Sequence, residues 1–479
     1  MSSSFSGREA WFPTVKWNAE GQLKRSVDYG IWPSRMPGPK EMLSNDDDLV
    51  FRELPAPPAP GRQPGRTGDV QPLIAMRMLS TNTAPQSRSR ELQLRQAVLL
   101  IFCDPPDMCA RLRGISGTEW QRLLHWLDTS GLALYLLERL YELKQIEILP
   151  PHVHARLQQN LADNTARTAA MIAELTAIHR EFQRGGLSYA ILKGLSLSPS
   201  SVPRPELRSQ LDLDLLVAQH SAHEARRILE GRGYHLRAIS GRTWEFKKNE
   251  MPGTTLKDLY KDLPYRSVEL HVEATGSEDH SLLARAEIRS LCGVDMPVLS
   301  SVDTLLGQGI HAFKHVCSEF SRTAHLLEFR RHVLSRHDDA AFWIELRTRA
   351  EENPRAALAL GVVTLLIAQV MGVFAPMALT TWTVNRLPLS ARLWVQLYGE
   401  RTVFASFPGN KLYLLLQKEL AASSIPVKRS LRKALLPLSL PPLIVHATAN
   451  ETLSMRHRRY RTQIGFILFR LRFHAVEGF

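Results

Sequence analysis

Two aspartates interrupt an apolar run at residues 211–217, whose sequence is LDLDLLV. Side chains alternate between the two faces of a β-strand, so a strand here puts Asp212 and Asp214 on one face and the leucines on the other. Two carboxylates side by side on a half-buried strand repel each other and are costly to remove from water. A divalent cation between them offsets both costs, and Mg²⁺ prefers a few carboxylate oxygens together with substrate phosphate oxygens. The run therefore predicts a strand that carries metal ligands.

A second strand with the same alternation is predicted at 266–274, RSVELHVEA. Its apolar side chains face a core, whereas Glu269, His271 and Glu273 share the opposite face. If this strand pairs beside 211–217, Glu269 supplies a third carboxylate, and the three acids can hold two metal ions about 3.5–4 Å apart. Glu273 is the alternative third acid. His271 either orients Glu269 or contacts the acceptor, or it is a structural histidine.

A glycine after a short apolar strand is the third element of this predicted site. The run LSYAILKG at 187–194 predicts a buried strand that ends at Gly194, where the missing side chain lets backbone N–H groups approach a phosphate. Ser196 adds a hydroxyl donor, and Lys193 and Arg208 are candidate cationic contacts to a triphosphate. The alternatives are a solvated charge for Lys193 and a loop salt bridge for Arg208.

The chain resembles the uncharacterised nucleotidyltransferase family of the polymerase-β-like superfamily. The segments that carry the resemblance are, in chain order, LKG, LRSQLDLDLLV and VELHVEA. HAFKHVCSEFSRTAHLLEF at 311–329 looks like the H-x-x-K-H helix that follows the core in this family, and we place the resemblance at about 95–340. The glycine turn of the superfamily usually contains Gly-Gly or Gly-Ser, whereas this chain has Gly194-Leu195.

The predicted strands with interleaved helices indicate an α+β fold, with a small mixed β-sheet flanked by helical N-terminal and C-terminal regions. The resemblance implies transfer of a nucleoside monophosphate from an NTP to an acceptor, with release of pyrophosphate. Asp212, Asp214 and Glu269 are then the catalytic residues and the ligands of Mg²⁺ or Mn²⁺.

Three further residues, His311, Lys314 and His315, share a helical face at i, i+3 and i+4. They are candidates for substrate binding, in a cleft wall that faces the carboxylates. A zinc site built from histidines is the alternative interpretation of this face.

Composition divides the chain into five segments. The first is rich in proline, and such a segment cannot bury enough apolar surface to offset the entropy of ordering it. Met76 and Met78 lie near its end, so a translation start at one of them is a further hypothesis. The predicted segments are a disordered extension at 1–90, a helical region at 91–184, an α/β core at 185–300, a helical domain at 301–450 and a basic tail at 451–479.

The formal net charge of +13 favours anionic partners such as NTPs, nucleic acid or an acidic membrane surface, without choosing among them. Four cysteines without a C-x-x-C pair are typical of free thiols in a reducing cytoplasm. The uncharged run at 356–375 is long enough to span a membrane, but Thr364, Gln369 and the missing aromatic belt favour a buried core helix. We therefore expect a cytoplasmic protein without stable membrane insertion.

The predicted function is nucleotidyl transfer from an NTP, with ATP expected, to a small-molecule, peptide or protein acceptor; nucleic acid is not favoured. Two alternatives stay open. The protein either kept the fold as a catalytically inactive nucleotide-binding or interaction module, or it associates with membranes or nucleic acid through the basic tail.

Overall fold

The structure is a computed structural model of the 479-residue chain. The described residues from Ser89 onwards belong to one compact unit. Most of the segment 1–90 lies outside the described residues, so the disordered extension and the translation start stay predictions. The described residues are 14–17, 22–26, 85–103, 105–249, 254–255, 258–264, 266–273, 281–318, 320–353, 355–407, 409–422 and 452–477.

The strands in this part of the chain belong to two sheets. In chain order they are β1 (Thr14–Trp17), β2 (Gln22–Ser26), β3 (Tyr189–Ile191), β4 (Leu213–Val217), β5 (His235–Ser240), β6 (Thr243–Lys248), β7 (Thr254–Thr255), β8 (Arg266–Val272), β9 (Glu287–Leu291) and β10 (Val294–Val298).

The larger sheet contains seven of the described strands, in the spatial order β5-β6-β8-β4-β3-β10-β9. The central pair β4 and β8 is parallel, as is the pair β3 and β10, whereas the other neighbours are antiparallel. Strands β1, β2 and β7 form a small antiparallel sheet. A mixed sheet with helical flanks confirms the predicted α+β fold.

The predicted strands are present with shifted ends. The strand expected at 211–217 begins at Leu213, so Asp212 lies one residue before it. The strand expected at 266–274 ends at Val272, and the strand expected at 187–194 is only the three residues of β3.

The hairpin of β9 and β10 was not predicted from the sequence. The two strands are antiparallel and are joined by Cys292 and Gly293, whose φ angles are +52° and +84°. Two-residue hairpin turns of this kind need positive φ at both central residues, which explains the glycine.

Helices make up most of the remaining described chain. In chain order they are α1 (Pro85–Leu100), α2 (Pro105–Ala110), α3 (Gly117–Ser130), α4 (Ala133–Glu142), α5 (Pro151–Arg184), α6 (Ala222–Gly231), α7 (Ser301–Val316), α8 (Thr323–Ser335), α9 (Ala340–Glu351), α10 (Ala356–Met371), α11 (Met377–Thr380), α12 (Leu389–Val403), α13 (Tyr413–Ala422) and α14 (Leu453–Glu477).

One face of the larger sheet packs against α5 and α6. Leu213, Leu215 and Val217 of β4 belong to the same apolar cluster as Phe182 of α5 and Leu229 of α6. Because side chains alternate along a strand, residue 214 of β4 belongs to the other face. The burial of this one face therefore determines which acids are available on the opposite one.

The apolar run expected at 356–375 forms α10, which lies among α7, α8 and α12. Leu360, Val363 and Ile367 of this helix are fully buried in the helical core. Among the described residues, no helix is both long enough and apolar enough to cross a membrane.

Candidate active site

Asp214 and Glu269 are directly opposite each other on the parallel strands β4 and β8. Opposite residues of paired strands have side chains on the same face of the sheet, so the two carboxylates are neighbours. Both residues are deeply buried, with exposed fractions of 3% for Asp214 and 1% for Glu269. The structure thus brings two of the three predicted metal ligands together, below the protein surface.

A third acid continues this row across the sheet. Glu245 of β6 is directly opposite Glu269 and is also buried. The Nζ atom of Lys247 lies 3.2 Å from its Oε1 atom. Glu245 was missed in the sequence because its strand pairing with β8 cannot be deduced from alternation alone. We call Asp214, Glu269 and Glu245 the acidic row.

Lys193 follows β3 and forms an ion pair with the acidic row. Its Nζ atom lies 3.0 Å from Oδ1 of Asp214, and its side chain is only 14% exposed. The backbone N–H of Leu192 donates to the carbonyl of Asp214, which holds the loop beside β4. The alternative interpretation of Lys193 from the sequence, a solvated charge, therefore does not apply.

His271 lies between the two central carboxylates. Its Nε2 atom is 3.2 Å from Oδ1 of Asp214 and 3.8 Å from Oε2 of Glu269, and its Nδ1 atom is 3.2 Å from the hydroxyl of Thr243. Burial lowers the pKa of His271, although the hydrogen bond with Asp214 opposes this effect. One ligand atom from each of Asp214, Glu269 and His271 lies within 4.8 Å of the others, so this group has the donors and the spacing of a metal site.

Asp212 differs from the expected arrangement. It precedes β4 rather than belonging to it, and it is only partly buried. Its charge raises the pKa of Arg208 and of His271, in each case against the effect of burial, so it lies near the site. It does not belong to the close group of ligand atoms around Asp214, and it is the most exposed of the three predicted ligands.

The predicted glycine turn is explained by a residue that the sequence analysis missed. Gly194 has φ +74°, and a Cβ atom there would lie 2.1 Å from Nε2 of Gln210. The same Nε2 atom donates to the carbonyl of Asp212 at 2.5 Å. A side chain at residue 194 would therefore displace the contact that connects the glycine turn to the aspartate segment.

Ser196 lies in a short 3₁₀ helix, Gly194–Leu197, and is 1% exposed. Among the described residues its hydroxyl has no hydrogen-bond partner, and its carbonyl accepts a hydrogen bond from Arg289. Ser196 does not line the cavity beside the acidic row.

Arg208 forms a salt bridge, which was the alternative interpretation of this residue in the sequence. Its partner lies in a helix and not in a loop. Its Nε atom donates to Oε1 of Glu328 in α8 at 3.1 Å. Burial alone would raise the pKa of Glu328, but Arg208, His325 and Tyr135 outweigh it and lower this pKa to about 2. Glu328 is therefore a permanent anion at neutral pH.

A cavity of about 180 Å³ lies beside these groups. Most of its wall is apolar and comes from leucines and from helix α7. Its charged and imidazole side chains include Lys193, Arg208, His311, His325 and Glu328. Since Lys193 also contacts Asp214, the cavity is adjacent to the end of the acidic row that Asp214 forms.

The predicted substrate-binding residues of α7 have different surroundings. His311 lines the cavity, whereas His315 is buried against His311 and against His325 of α8. Lys314 is partly buried and does not line the cavity. His325 was missed as a candidate because its contact with α7 depends on how the two helices pack.

A mixed sheet with acids on neighbouring parallel strands, and with helical segments before and after it in the chain, is consistent with a nucleotidyltransferase-like core. Residues 116–372, more than half of the chain, match the model of the family described as uncharacterised nucleotidyltransferase, and the chain belongs to this family.

Among the solved structures to which the chain is similar is an antigenic nucleotidyltransferase-like protein from Paracoccidioides brasiliensis. The identity is 13%, over 41% of this chain and 91% of that chain, and the TM-score is 0.25, which is too low to carry an argument about the site. No curated protein matches the chain.

Proposed function

We propose that the protein transfers a nucleoside monophosphate from an NTP to an acceptor hydroxyl. The observation that carries the proposal is the in-register pair of Asp214 and Glu269 on adjacent parallel strands, in a chain of a nucleotidyltransferase family. Two buried carboxylates on one sheet face are costly unless positive charge accompanies them. Lys193 supplies part of that charge at Asp214, and divalent ions held by the carboxylates would supply the rest.

The donor set fits Mg²⁺ or Mn²⁺. Carboxylate oxygens of Asp214 and Glu269, with Asp212 at the more exposed end, are the hard donors that these ions prefer. The close spacing of the ligand atoms around Asp214 supports this assignment. When bound, the ions supply charge stabilisation for the transferring phosphoryl group and activation of the attacking oxygen.

The chain's own residues bind and orient the reactants. Lys193 and Arg208 reach the cavity, where their cationic ends bind the triphosphate. Neutral His271 orients Asp214 and Glu269 through its contacts with both. Gly194 lets the backbone after β3 approach the phosphates closely.

The reaction balances as an in-line displacement. The acceptor oxygen forms a new bond to the α-phosphorus, the bond from that phosphorus to the bridging oxygen of the β-phosphate breaks, and pyrophosphate leaves. The acceptor proton passes to the carboxylate of Glu269. Positioning and charge stabilisation supply most of the acceleration in this class of reaction.

We further propose that the NTP is ATP, that the acceptor is a small molecule, a peptide or a protein, and that the protein acts in the cytoplasm. Buried Cys109 and partly buried Cys317 are free thiols, as expected for a reducing compartment.

A catalytically inactive binding module is the second candidate. The observation that favours it is the burial of Asp214 and Glu269 with Lys193 on the Asp214 carboxylate, because substrate access then requires Lys193 to move. Nucleotide binding without pyrophosphate release would support this candidate.

The test uses each labelled NTP in turn with the purified full chain, Mg²⁺ and a cell extract. We expect one class of molecule to gain label together with pyrophosphate release. The double variant Asp212→Asn, Asp214→Asn should fold, as judged by circular dichroism, and should lose the labelling. Full labelling by that variant contradicts the proposed catalytic role of both aspartates.

A further inference from the structure

Three histidines from two neighbouring helices converge, and two of them, His311 and His325, line the cavity. His311 and His315 are one helical turn apart on α7, so both side chains belong to the same face of that helix. His325 of α8 completes the group. The ring centroids are 4.6 Å apart for His311 and His315, 4.6 Å for His311 and His325, and 4.7 Å for His315 and His325.

The ring nitrogens, and not only the rings, converge. One nitrogen from each histidine lies within 4.8 Å of the other two. Tetrahedral zinc has Zn–N distances of about 2.0–2.1 Å, which separates its nitrogen ligands by about 3.3 Å. Modest approach of the three rings is therefore enough to form such a site.

A carboxylate lies behind one of the rings, as is usual for histidines that bind metals. The Nδ1 atom of His325 is 3.5 Å from Oε2 of Glu328, so this carboxylate favours the tautomer whose Nε2 atom is the electron-pair donor. Glu328 is fixed in turn by the Tyr135 hydroxyl at 2.9 Å and by Arg208 at 3.1 Å.

The donor set differs from that of the acidic row. Three imidazoles without a carboxylate ligand select first-row transition ions over Mg²⁺, which prefers oxygen. Burial also lowers the pKa values of His311 and His315 well below their usual range, and that of His325 to about 4. The rings are therefore neutral, the form that binds metals.

The cations near the group have partners of their own. Lys193 is paired with Asp214, Arg208 is paired with Glu328, and Arg322 donates to the hydroxyl of Ser209. Burial lowers the pKa of His311 and of His315 most, the charge of His325 follows, and the charge of Lys314 of α7 contributes after these. These charges weaken the attraction for a cation, whereas the anionic Glu328 strengthens it.

We propose that His311, His315 and His325 form a binding site for a divalent first-row transition ion, with Zn²⁺ as its expected occupant. Three protein ligands leave a fourth coordination position, as in zinc sites that bind water or a ligand. His311 and His325 line the cavity, so an anionic or neutral donor in the cavity can take this fourth position. The site is separate from the acidic row.

The first test measures metal content and Co²⁺ spectra of the tag-free full chain purified without chelators. We expect about one equivalent of zinc, removed by a chelator and restored by Zn²⁺, and visible absorption bands when Co²⁺ replaces it. His315→Asn and His325→Asn should weaken Co²⁺ affinity at least about 100-fold, since even partners of a metal ligand are worth 10–100-fold.

His332→Asn is the matched control. His332 is a buried histidine on α8 like His325, but it contacts Gln308 and Ser301 and is not part of the group. This variant should keep the Co²⁺ spectrum. Equal loss in His332→Asn, or full affinity in His315→Asn and His325→Asn, overturns the proposal.

A second measurement keeps the test decisive if the variants do not fold. Zn²⁺ should protect His311 and His325, which line the cavity, from modification by diethylpyrocarbonate in the wild-type chain, as read by peptide mass spectrometry. Unchanged modification of both overturns the proposal. The double variant Asp212→Asn, Asp214→Asn should keep the zinc, so that failure of the zinc site and failure of nucleotidyl transfer are distinguishable.

Discussion

The ammonium of Lys193 lies 3.0 Å from the buried carboxylate of Asp214, and this ion pair connects the cavity to the acidic row. Removal of one partner of a buried pair leaves an uncompensated charge, which typically costs 3–5 kcal/mol. We expect Lys193→Met to lower the free energy of unfolding by about 3 kcal/mol without divalent ions. Saturating Mg²⁺ should restore part of that loss, because the ion replaces the missing positive charge.

Urea unfolding with and without Mg²⁺ measures this effect. Lys247→Met is the matched control, since Lys247 pairs with Glu245 of the same row but has a side chain that is 35% exposed. Lys247→Met should lower the free energy of unfolding by less than Lys193→Met does. A loss below about 1 kcal/mol in Lys193→Met, with no response to Mg²⁺, contradicts the role that we give to this pair.

Glu269 and Glu245 are neighbouring acids, and their amide variants separate the metal ligand from its neighbour. We expect Glu269→Gln to reduce the rate of pyrophosphate release at least about 100-fold. Loss of a group that only supports a metal ligand typically costs 10–100-fold, and loss of the ligand itself should cost more. Glu245→Gln should reduce the rate by no more than about 10-fold, the lower end of the range for groups that only support a metal ligand. The opposite ranking would assign the third ligand to Glu245 instead.

Gly194 is restricted by both backbone and space. Gly194→Ala places a side chain at φ +74° and within 2.1 Å of Gln210. Gly293→Ala is the matched control, because Gly293 has φ +84° with no atom within 4 Å of the added Cβ. We expect about 1 kcal/mol of destabilisation for the control and about 1–3 kcal/mol more for Gly194→Ala.

Adding Gln210→Ala to Gly194→Ala tests the origin of the extra cost. The double variant should recover most of the difference from the control in thermal or urea unfolding. If it recovers nothing, the crowding by Gln210 is not the reason for the glycine.

The buried His332 makes stability depend on pH. Burial, followed by the charges of Arg336 and Arg289, lowers its pKa to about 3. Below pH 6.5 the unfolded chain therefore binds a proton that the folded chain does not, so stability falls as pH falls from 6.5 towards 3. At 1.36 kcal/mol per pH unit, His332 contributes a loss of about 2 kcal/mol between pH 6.5 and 5.

Comparison of urea unfolding at pH 7 and pH 5 checks this expectation. Between pH 7 and pH 5, the free energy of unfolding of His332→Asn should fall by about 2 kcal/mol less than that of the wild-type chain. An identical loss in both proteins would mean that His332 is not excluded from protonation in the folded state.

The acidic pair was predictable because alternation along a strand is a local property. The runs around Asp214 and Glu269 each predict one apolar and one acidic face, and the family resemblance suggested their pairing. Asp212 was placed in the strand, whereas β4 begins at Leu213, because strand ends depend on pairing partners. The hairpin through Cys292-Gly293 was missed, although its two-residue turn with glycine is a local signal.

The residues that sequence reasoning missed all depend on contacts between distant segments. Glu245 joins the acidic row only through the register of β6 on β8, and Gln210 reaches Gly194 across a loop. His325 meets His311 only because α7 and α8 pack together. Periodicity in one segment contains no information on such neighbours.

The Glu328 carboxylate has one consequence for how far the chain can be shortened. It accepts hydrogen bonds from Tyr135 of α4, from Arg208 of the loop before β4 and from His325 of its own helix, α8. A fragment trimmed to the sheet alone would lack this acceptor, and a fragment without α4 would lose one of its donors. A fragment that keeps this carboxylate together with all three partners must therefore contain α4 through α8, and a fragment limited to the sheet should be less stable than the full chain.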